Sequence, residues 1–271
     1  MRLAVARINA AQCGAIEAAA LKYAMPILLA VESSSDLASV ALHVITADTA
    51  VPPRVFSRAA LGVQSHSHSI LPMVQAVLAE AGLTLRDCDA IAFGAGPGSF
   101  TGVRTACGIA QGLGYGSNRP VTAVDTLMAT AQACRDATGA TDVLVVLDAR
   151  MGEVYWGQYR WDPAQERGGW RTVTTARLDT PARVAPVFSG AMPTACGNGF
   201  SAHATQFAGC DYAGSARADI MPHATGVALL AQRLFFQGAA VPARDAQPVY
   251  LRNDVAQTIA ERENNRLEAA R

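Results

Sequence analysis

The order of strand-like and helix-like runs predicts an α/β protein built from two similar units rather than from one continuous doubly wound sheet. Three observations carry that prediction. Residues 27–59 read as three successive strands before any helix, and residues 90–137 then alternate strand with helix. A second strand-turn-strand opens at Val143. Between a strand at Ala90–Phe93 and a helix over Thr101–Gly114 lies Gly94-Ala95-Gly96-Pro97-Gly98-Ser99-Phe100, a loop rich in backbone N–H groups and poor in aliphatic side chains.

Each element follows from local pattern. Ile27–Val31 is a buried strand, Glu32-Ser33-Ser34-Ser35-Asp36 a polar turn, and Ala38–Ile45 the returning strand of a hairpin, with a further strand around Arg54–Ala59. Ile70, Val74, Val77, Leu78 and Ala81 recur at helical spacing, Pro72 falls early enough to be tolerated, and Gly82 ends the run. Val121–Val124 reads as a strand and Thr126–Ala137 as a helix. Val143–Asp148 and Glu153–Tyr159 form the second hairpin around Asp148-Ala149-Arg150-Met151-Gly152. Trp161–Pro186 reads as polar and turn-rich, and Cys196-Gly197-Asn198-Gly199 as a second glycine turn. Thr225–Gln237 is a helix with Val227, Leu230, Ala231 and Leu234 on one face, and Pro248–Asn253 closes the fold. The expected division is a first unit at 25–138 and a smaller second unit at 139–255, whose C-terminal helix packs back on the first. A polar tail occupies 256–271.

Composition narrows the function classes. Of 271 residues, 51% are hydrophobic and 16% charged, a folded globular profile. Lys+Arg 22 against Asp+Glu 22 gives no net charge, so the basic excess that holds nucleic acid by phosphate neutralisation is missing. Any role on RNA is therefore expected to be indirect. The six cysteines are scattered without a Cys-x-x-Cys pair, as in reduced cytosolic proteins rather than disulfide frameworks or zinc sites. No apolar run reaches the roughly 18 residues of a membrane span. Asn9, Gln12 and Glu17 interrupt any signal-peptide core, and a cytoplasmic protein is expected.

Strand, glycine loop and helix start together make an anion-site pattern, because the first helical turn leaves N–H groups unpaired at the positive end of the dipole. A P-loop would need Gly-Lys-Ser/Thr, whereas Thr101-Gly102-Val103 stands there and Lys22 is the only lysine. A dinucleotide fingerprint matches at Gly94, Gly96 and Gly98, with Asp125 as the acid after the next strand, but its third glycine falls on Ser99 or Thr101. A nucleophile elbow would need glycines at Pro97 and Thr101. The loop candidates are Gly96, Gly98, Ser99, Thr101 and Arg104. Ser99 and Thr101 suit helix capping or an anion. Arg104 sits in the first turn against the dipole, which calls for an anionic neighbour, a carboxylate or a ligand.

The same helix carries two small-residue stripes, Thr105-Gly108-Gly112 and Ala106-Ala110-Gly114. Mid-helix glycine costs about 1 kcal/mol against alanine, so a second backbone is expected to come close. Packing on the chain's own sheet accounts for one stripe. The other, with Ile70, Met73 and Val77 of the preceding helix, is expected to form a helix–helix subunit interface. Asp148, Arg150 and Glu153 sit on a hairpin turn, where Asp is a common turn former and Arg150 is expected to pair with Glu153. No catalytic residue is assigned.

Met25–Ser34, Gly96–Arg104, Asp148–Tyr155 and Pro248–Asn253 resemble the bacterial TsaB (YeaZ) family over roughly residues 25–255. The resemblance implies an actin-like ATPase fold with two RNase-H-like domains. It implies a role in forming threonylcarbamoyladenosine at position 37 of tRNAs that read A-starting codons. The partners implied are the paralogous transferase TsaD in a heterodimer, the ATPase TsaE, and a second copy of the chain in a homodimer through N-domain helices. No cofactor is implied on this chain, and any ATP or ADP is expected in the complex. The transferase paralogue carries a metal-binding His-x-x-x-His; here His66 has Ile70 as its would-be partner, and His66 and His68 point about 200° apart on a helix, so no metal is expected. Glu32 stands where relatives commonly have Asp, which argues against a phosphate- or metal-orienting role. Residues 1–24 have no family counterpart, are expected to be disordered, and make Met25 the expected start. The rival reading within the same fold is a sugar or acid kinase with Asp148 as catalytic base.

Overall fold

The computed structural model describes residues 26–45, 53–62, 66–164 and 169–252. The expected N-terminal extension at 1–24, the Met25 start, the polar tail and the His66 side chain lie outside the described residues.

Five strands form the first sheet: β1 (Ile27–Glu32), β2 (Leu37–Val44), β3 (Arg54–Leu61), β4 (Ala90–Gly96) and β5 (Val121–Asp125). Their order is β3-β2-β1-β4-β5, antiparallel on the hairpin side and parallel from β1 through β5. β1 and β4 are apolar on both faces because helices cover both. On one face Leu29, Val31, Val40, Ile91 and Phe93 meet α1 (His66–Ala81) and α2 (Phe100–Ser117). On the other, Leu28, Ala30, Ala41, Ala90 and Ala92 meet α3 (Thr126–Thr138) and the late helix α6 (Ala224–Phe236). The small side chains on that face let α6 lie close to the strands. Gly226 of α6 in turn faces the backbone of α3, where an added Cβ would stand 2.9 Å from the Ala129 carbonyl.

The second sheet repeats the order of the first four strands. It comprises β6 (Asp142–Arg150), β7 (Glu153–Asp162), β8 (Gly169–Asp179) and β9 (Thr194–Cys196), arranged β8-β7-β6-β9 with β9 parallel to β6. Its inner face, with Val143, Val145, Leu147 and Tyr159, shares one core with α3, α6 and the first sheet. Its outer face packs Val146 and Trp156 against Phe200 of α4 (Gly199–Ala202) and Phe207 of α5 (Ala204–Phe207). This is the two-sheet α/β arrangement of the actin-like class, with the α3/α6 layer held between the sheets.

β8 departs from the expected polar, turn-rich stretch. It is a sheet edge, and Arg171, Thr172, Thr175 and Arg177 face solvent. The composition that reads as loop is that of a strand with one wet face and one unpaired side. Among the described residues no helix is long and apolar enough to cross a membrane.

Candidate functional site

The glycine loop lies on the β1–β2 turn, and Gly94, Gly98 and Gly102 each answer a close contact there. A Cβ on Gly94 would run into the Glu32 carboxyl, one on Gly98 would stand 2.6 Å from Ser34 Cβ, and one on Gly102 would strike the Ser33 carbonyl. Gly96 adopts φ +106° with the Val249 carbonyl 2.8 Å from where its Cβ would be. Three of the loop's donors are spent within the chain. Ser99 N–H donates to the Ser34 carbonyl at 2.7 Å, Gly96 N–H to Thr126 Oγ1 at 3.0 Å, and Gly102 N–H to Ser99 Oγ at 3.3 Å. The Ser33 hydroxyl closes the contact by donating to the Gly102 carbonyl at 2.9 Å. Ser99 is thus the N-cap of α2, and exposed Thr101 accepts at its carbonyl from Thr105 Oγ1 at 2.9 Å.

Arg104 is offset differently from expectation. Its guanidinium lies 3.2 Å from the Phe100 ring centroid and 5.0 Å from that of Tyr250, while among the described residues no carboxylate pairs with it. Aromatic faces supply the negative potential that a carboxylate was expected to supply.

Two acids that resemble site residues in the sequence are otherwise engaged. Asp125 is the N-cap of α3: one oxygen accepts from Leu127 N–H at 2.8 Å and Met128 N–H at 3.2 Å, the other from the Tyr159 hydroxyl at 3.0 Å. Burial raises its pKa, and burial beside Asp125 raises that of Tyr159 well above the phenol range. Glu32 is fully enclosed, accepts from Ser34 N–H through Oε1, and has no partner on Oε2. Burial pushes its pKa above the ordinary carboxylate value.

A cleft of about 340 Å³ opens between the β1–β2 turn and the β6–β7 turn, with Ser34, Ser99, Asp148, Arg150, Asn198 and Tyr250 among its walls. Arg150, Met151 and Gly152 all take left-handed backbone, φ 63°, 56° and 76°, in a turn that is strained for the two non-glycine residues. Asp148 holds this turn: its Oδ1 accepts from Arg150 N–H at 3.1 Å and pairs with His203 Nε2 at 3.1 Å, while Oδ2 lies 3.3 Å from Arg150 Nη1. The expected Arg150–Glu153 pair is replaced. Arg150 turns to Asp148, and Glu153 pairs with Arg252 at 2.6 Å, because the closing segment delivers a second guanidinium to the hairpin. Among the described residues no group of three or more His, Cys, Asp or Glu is placed to hold a metal.

The helix faces sort the remaining candidates. Ile70, Met73 and Val77 are buried in the chain's own core beneath the first sheet, which corrects their expected place at a partner interface. Helical spacing shows which residues share a face, and the strands β2 and β3 already cover this one. Ala106, Ala110 and Gly114 likewise face inward, and a Cβ on Gly114 would stand 2.7 Å from Val121 Cγ2. Thr105 is half-buried, Gly108 and Gly112 are exposed, and an added Cβ on either glycine would meet nothing within 4 Å.

Sequence reasoning missed the residues that knit the cleft. Val249 N–H donates to the Ala95 carbonyl at 2.8 Å, the Tyr250 ring lies tilted against Phe100 with centroids 5.8 Å apart, and Arg252 donates to the Ala149 carbonyl at 3.2 Å. The His203–Asp148 pair was equally hidden. The lone histidine, between α4 and α5, carries no local signal, since its partner stands on β6.

Residues 60–262 match the family model described as TsaD, tRNA N6-adenosine threonylcarbamoyltransferase. The tRNA threonylcarbamoyladenosine biosynthesis protein TsaB of Escherichia coli is 38% identical, covering 84% of this chain and 96% of that protein. Its Haemophilus influenzae counterpart is 36% identical, covering 84% and 94%. The solved structure of YeaZ from Pseudomonas aeruginosa superimposes with a TM-score of 0.74 at 36% identity, covering 84% of this chain and all of that one.

Proposed function

The chain belongs to the TsaB (YeaZ) family and takes part in tRNA threonylcarbamoyladenosine biosynthesis, and from that premise we propose that it is a partner subunit of the TsaD transferase without catalysis of its own. In this reading it acts in the cytoplasm, associates with TsaD and TsaE, pairs with a second copy of itself in their absence, and meets tRNA only through the other subunits. ATP or ADP belongs to the assembled complex.

The observation that carries the reading is the outer face of α2. Gly108 and Gly112 leave open space on this face, with Tyr115 of the same helix 84% exposed. Two exposed mid-helix glycines cost helix stability, and no packing within the chain requires them. A backbone from another subunit explains both the small residues and the exposed aromatic. The chemistry of the cleft supports the same reading: Glu32 and Asp125 face into the fold, and Asp148, the base the kinase reading names, is engaged by His203 and Arg150.

Reconstitution of tRNA modification with TsaD, TsaE and the threonylcarbamoyl-adenylate synthase tests the proposal. Product is expected only when this chain is added, and none from this chain alone. Undiminished product on omission would overturn it. Gly108→Leu is expected to fold normally yet fail to associate, read by thermal unfolding beside size-exclusion with light scattering. A Gly108→Leu chain that still assembles would remove α2 from the interface.

A further inference from the structure

The outer face of the second sheet carries positive charge that its own carboxylates do not balance. Arg160 of β7 stands directly opposite Arg171 of β8, and Trp156 opposite Arg177, so the three arginines share the face that holds Trp156. The Arg177 guanidinium lies 5.9 Å from the Trp156 ring centroid. Arg183, just beyond β8, joins them from the side. Its Nη1 lies 4.0 Å from Asp179 Oδ1, and Asp179 Oδ2 accepts from Trp156 Nε1 at 3.0 Å. Asp142 is taken up by Arg160 at 2.6 Å. Among the described residues no carboxylate pairs with Arg171 or Arg177, and both are exposed. Four guanidiniums against the two carboxylates Asp142 and Asp179 leave an excess of two positive charges.

Beside this charge the chain holds an apolar segment out in water. Gln158, fully buried on the same face of β7, brackets Val187 with its amide: Nε2 donates to the Val187 carbonyl at 2.9 Å, and Oε1 accepts from its N–H at 2.7 Å. Ser189 Oγ reaches Asp142 Oδ2 at 3.5 Å. The segment so anchored leaves Val187 50%, Phe188 57% and Met192 48% exposed. Arginine, phenylalanine and methionine together are the composition of a protein-binding surface. A phosphate backbone fits less well, because an excess of two charges is small beside the several it neutralises, and aliphatic Val187 and Met192 offer no stacking face. Strand addition fits less well too, since the β7–β8 register shifts twice and breaks the row of edge donors on β8. We propose that this face docks an acidic, amphipathic segment of a protein partner, with its carboxylates on Arg171 and Arg177 and its apolar side on Phe188. The surface belongs to the second sheet, whereas α2 lies against the first, so it is a second contact that stands whether or not α2 is an interface.

The test is fluorescence anisotropy of the full chain with a labelled helical peptide that carries leucine along one face and glutamate along the other. The expected result is saturable binding that weakens as salt rises. Binding is expected to fall roughly tenfold or more in the double variant Arg171→Glu, Arg177→Glu, and to fall again in Phe188→Ser, which leaves every charge in place. Thermal unfolding of both variants is expected to match the parent, because all three side chains are exposed. Gly108→Leu is expected to leave peptide binding unchanged, so that failure at α2 and failure at this face are read separately. Absence of saturable binding would overturn the proposal. So would equal binding of a peptide with lysine in place of glutamate, or binding that both variants leave intact. Tighter binding of tRNA than of the peptide, lost in the double arginine variant, would assign the face to RNA instead.

Discussion

Glu32 is a carboxyl group enclosed between β1 and the glycine loop, and its environment makes the neutral acid the form that fits. A folded-state pKa raised above the unfolded value leaves stability intact at low pH, where both states are protonated. Stability is lost as pH rises, because the unfolded chain releases a proton that the folded one keeps, at about 1.4 kcal/mol per pH unit until the folded group also ionises. Glu32→Gln, which keeps the shape without the ionisation, is expected to raise the melting temperature at pH 7–8 and to leave it unchanged near pH 4. Equal shifts at both pH values would mean that the carboxyl is not held neutral. At this scale the sequence was only half legible. Ser99 as an N-cap could be read from residue type and position. That Gly94, Gly98 and Gly102 make room for Glu32, Ser34 and Ser33 could not, because those contacts join segments more than sixty residues apart.

The elements were the most legible level, since periodicity and caps are local. Thr126–Thr138 begins on its Asp125 cap and stops at Gly139, and β1, β2, β4 and β6 stand where apolar runs put them. What failed was the partner of each face. The α1 face of Ile70, Met73 and Val77 is covered by the chain itself, and β8 hid behind its polar edge. α2 offers a sharp test because its two glycine sets have opposite surroundings. Gly108→Ala, with open space around its new methyl, is expected to stabilise the monomer by about 1 kcal/mol in urea unfolding. Gly114→Ala, facing Val121 Cγ2 at 2.7 Å and the Arg119 carbonyl at 2.9 Å, is expected to destabilise it by roughly 1–3 kcal/mol. If both substitutions stabilise, the inward assignment of the Gly114 stripe is wrong.

For the whole molecule, the decisive feature is that the two sheets share one core and one closing segment. α6, late in the chain, lies against β1, β2, β4 and β5, so the last α-helix among the described residues covers one face of the first sheet. Residues 246–252 then cross the cleft rim. Gln111 Nε2 donates to the Ala246 carbonyl at 2.8 Å, Val249 pairs with the glycine loop, and Arg252 clamps the strained β6–β7 turn through Glu153 and the Ala149 carbonyl. Arg252→Ala removes a largely buried, charge-assisted set of contacts and is expected to cost roughly 1–3 kcal/mol. Hydrogen exchange should rise at Asp148–Glu153 more than in β1 or β4. Uniform protection in the variant would show that the turn holds its left-handed residues without the clamp.

By itself the sequence determined the class of fold, the order of its elements and the family, because apolar period, turn residues and motif spacing are properties of neighbouring residues. Only the tertiary structure decided what the glycine loop is for, which acids are engaged and which helix face is left open. Those answers depend on pairs such as Glu32 with Gly94 and Asp148 with His203, whose members are joined by packing and carry no mark of one another along the chain.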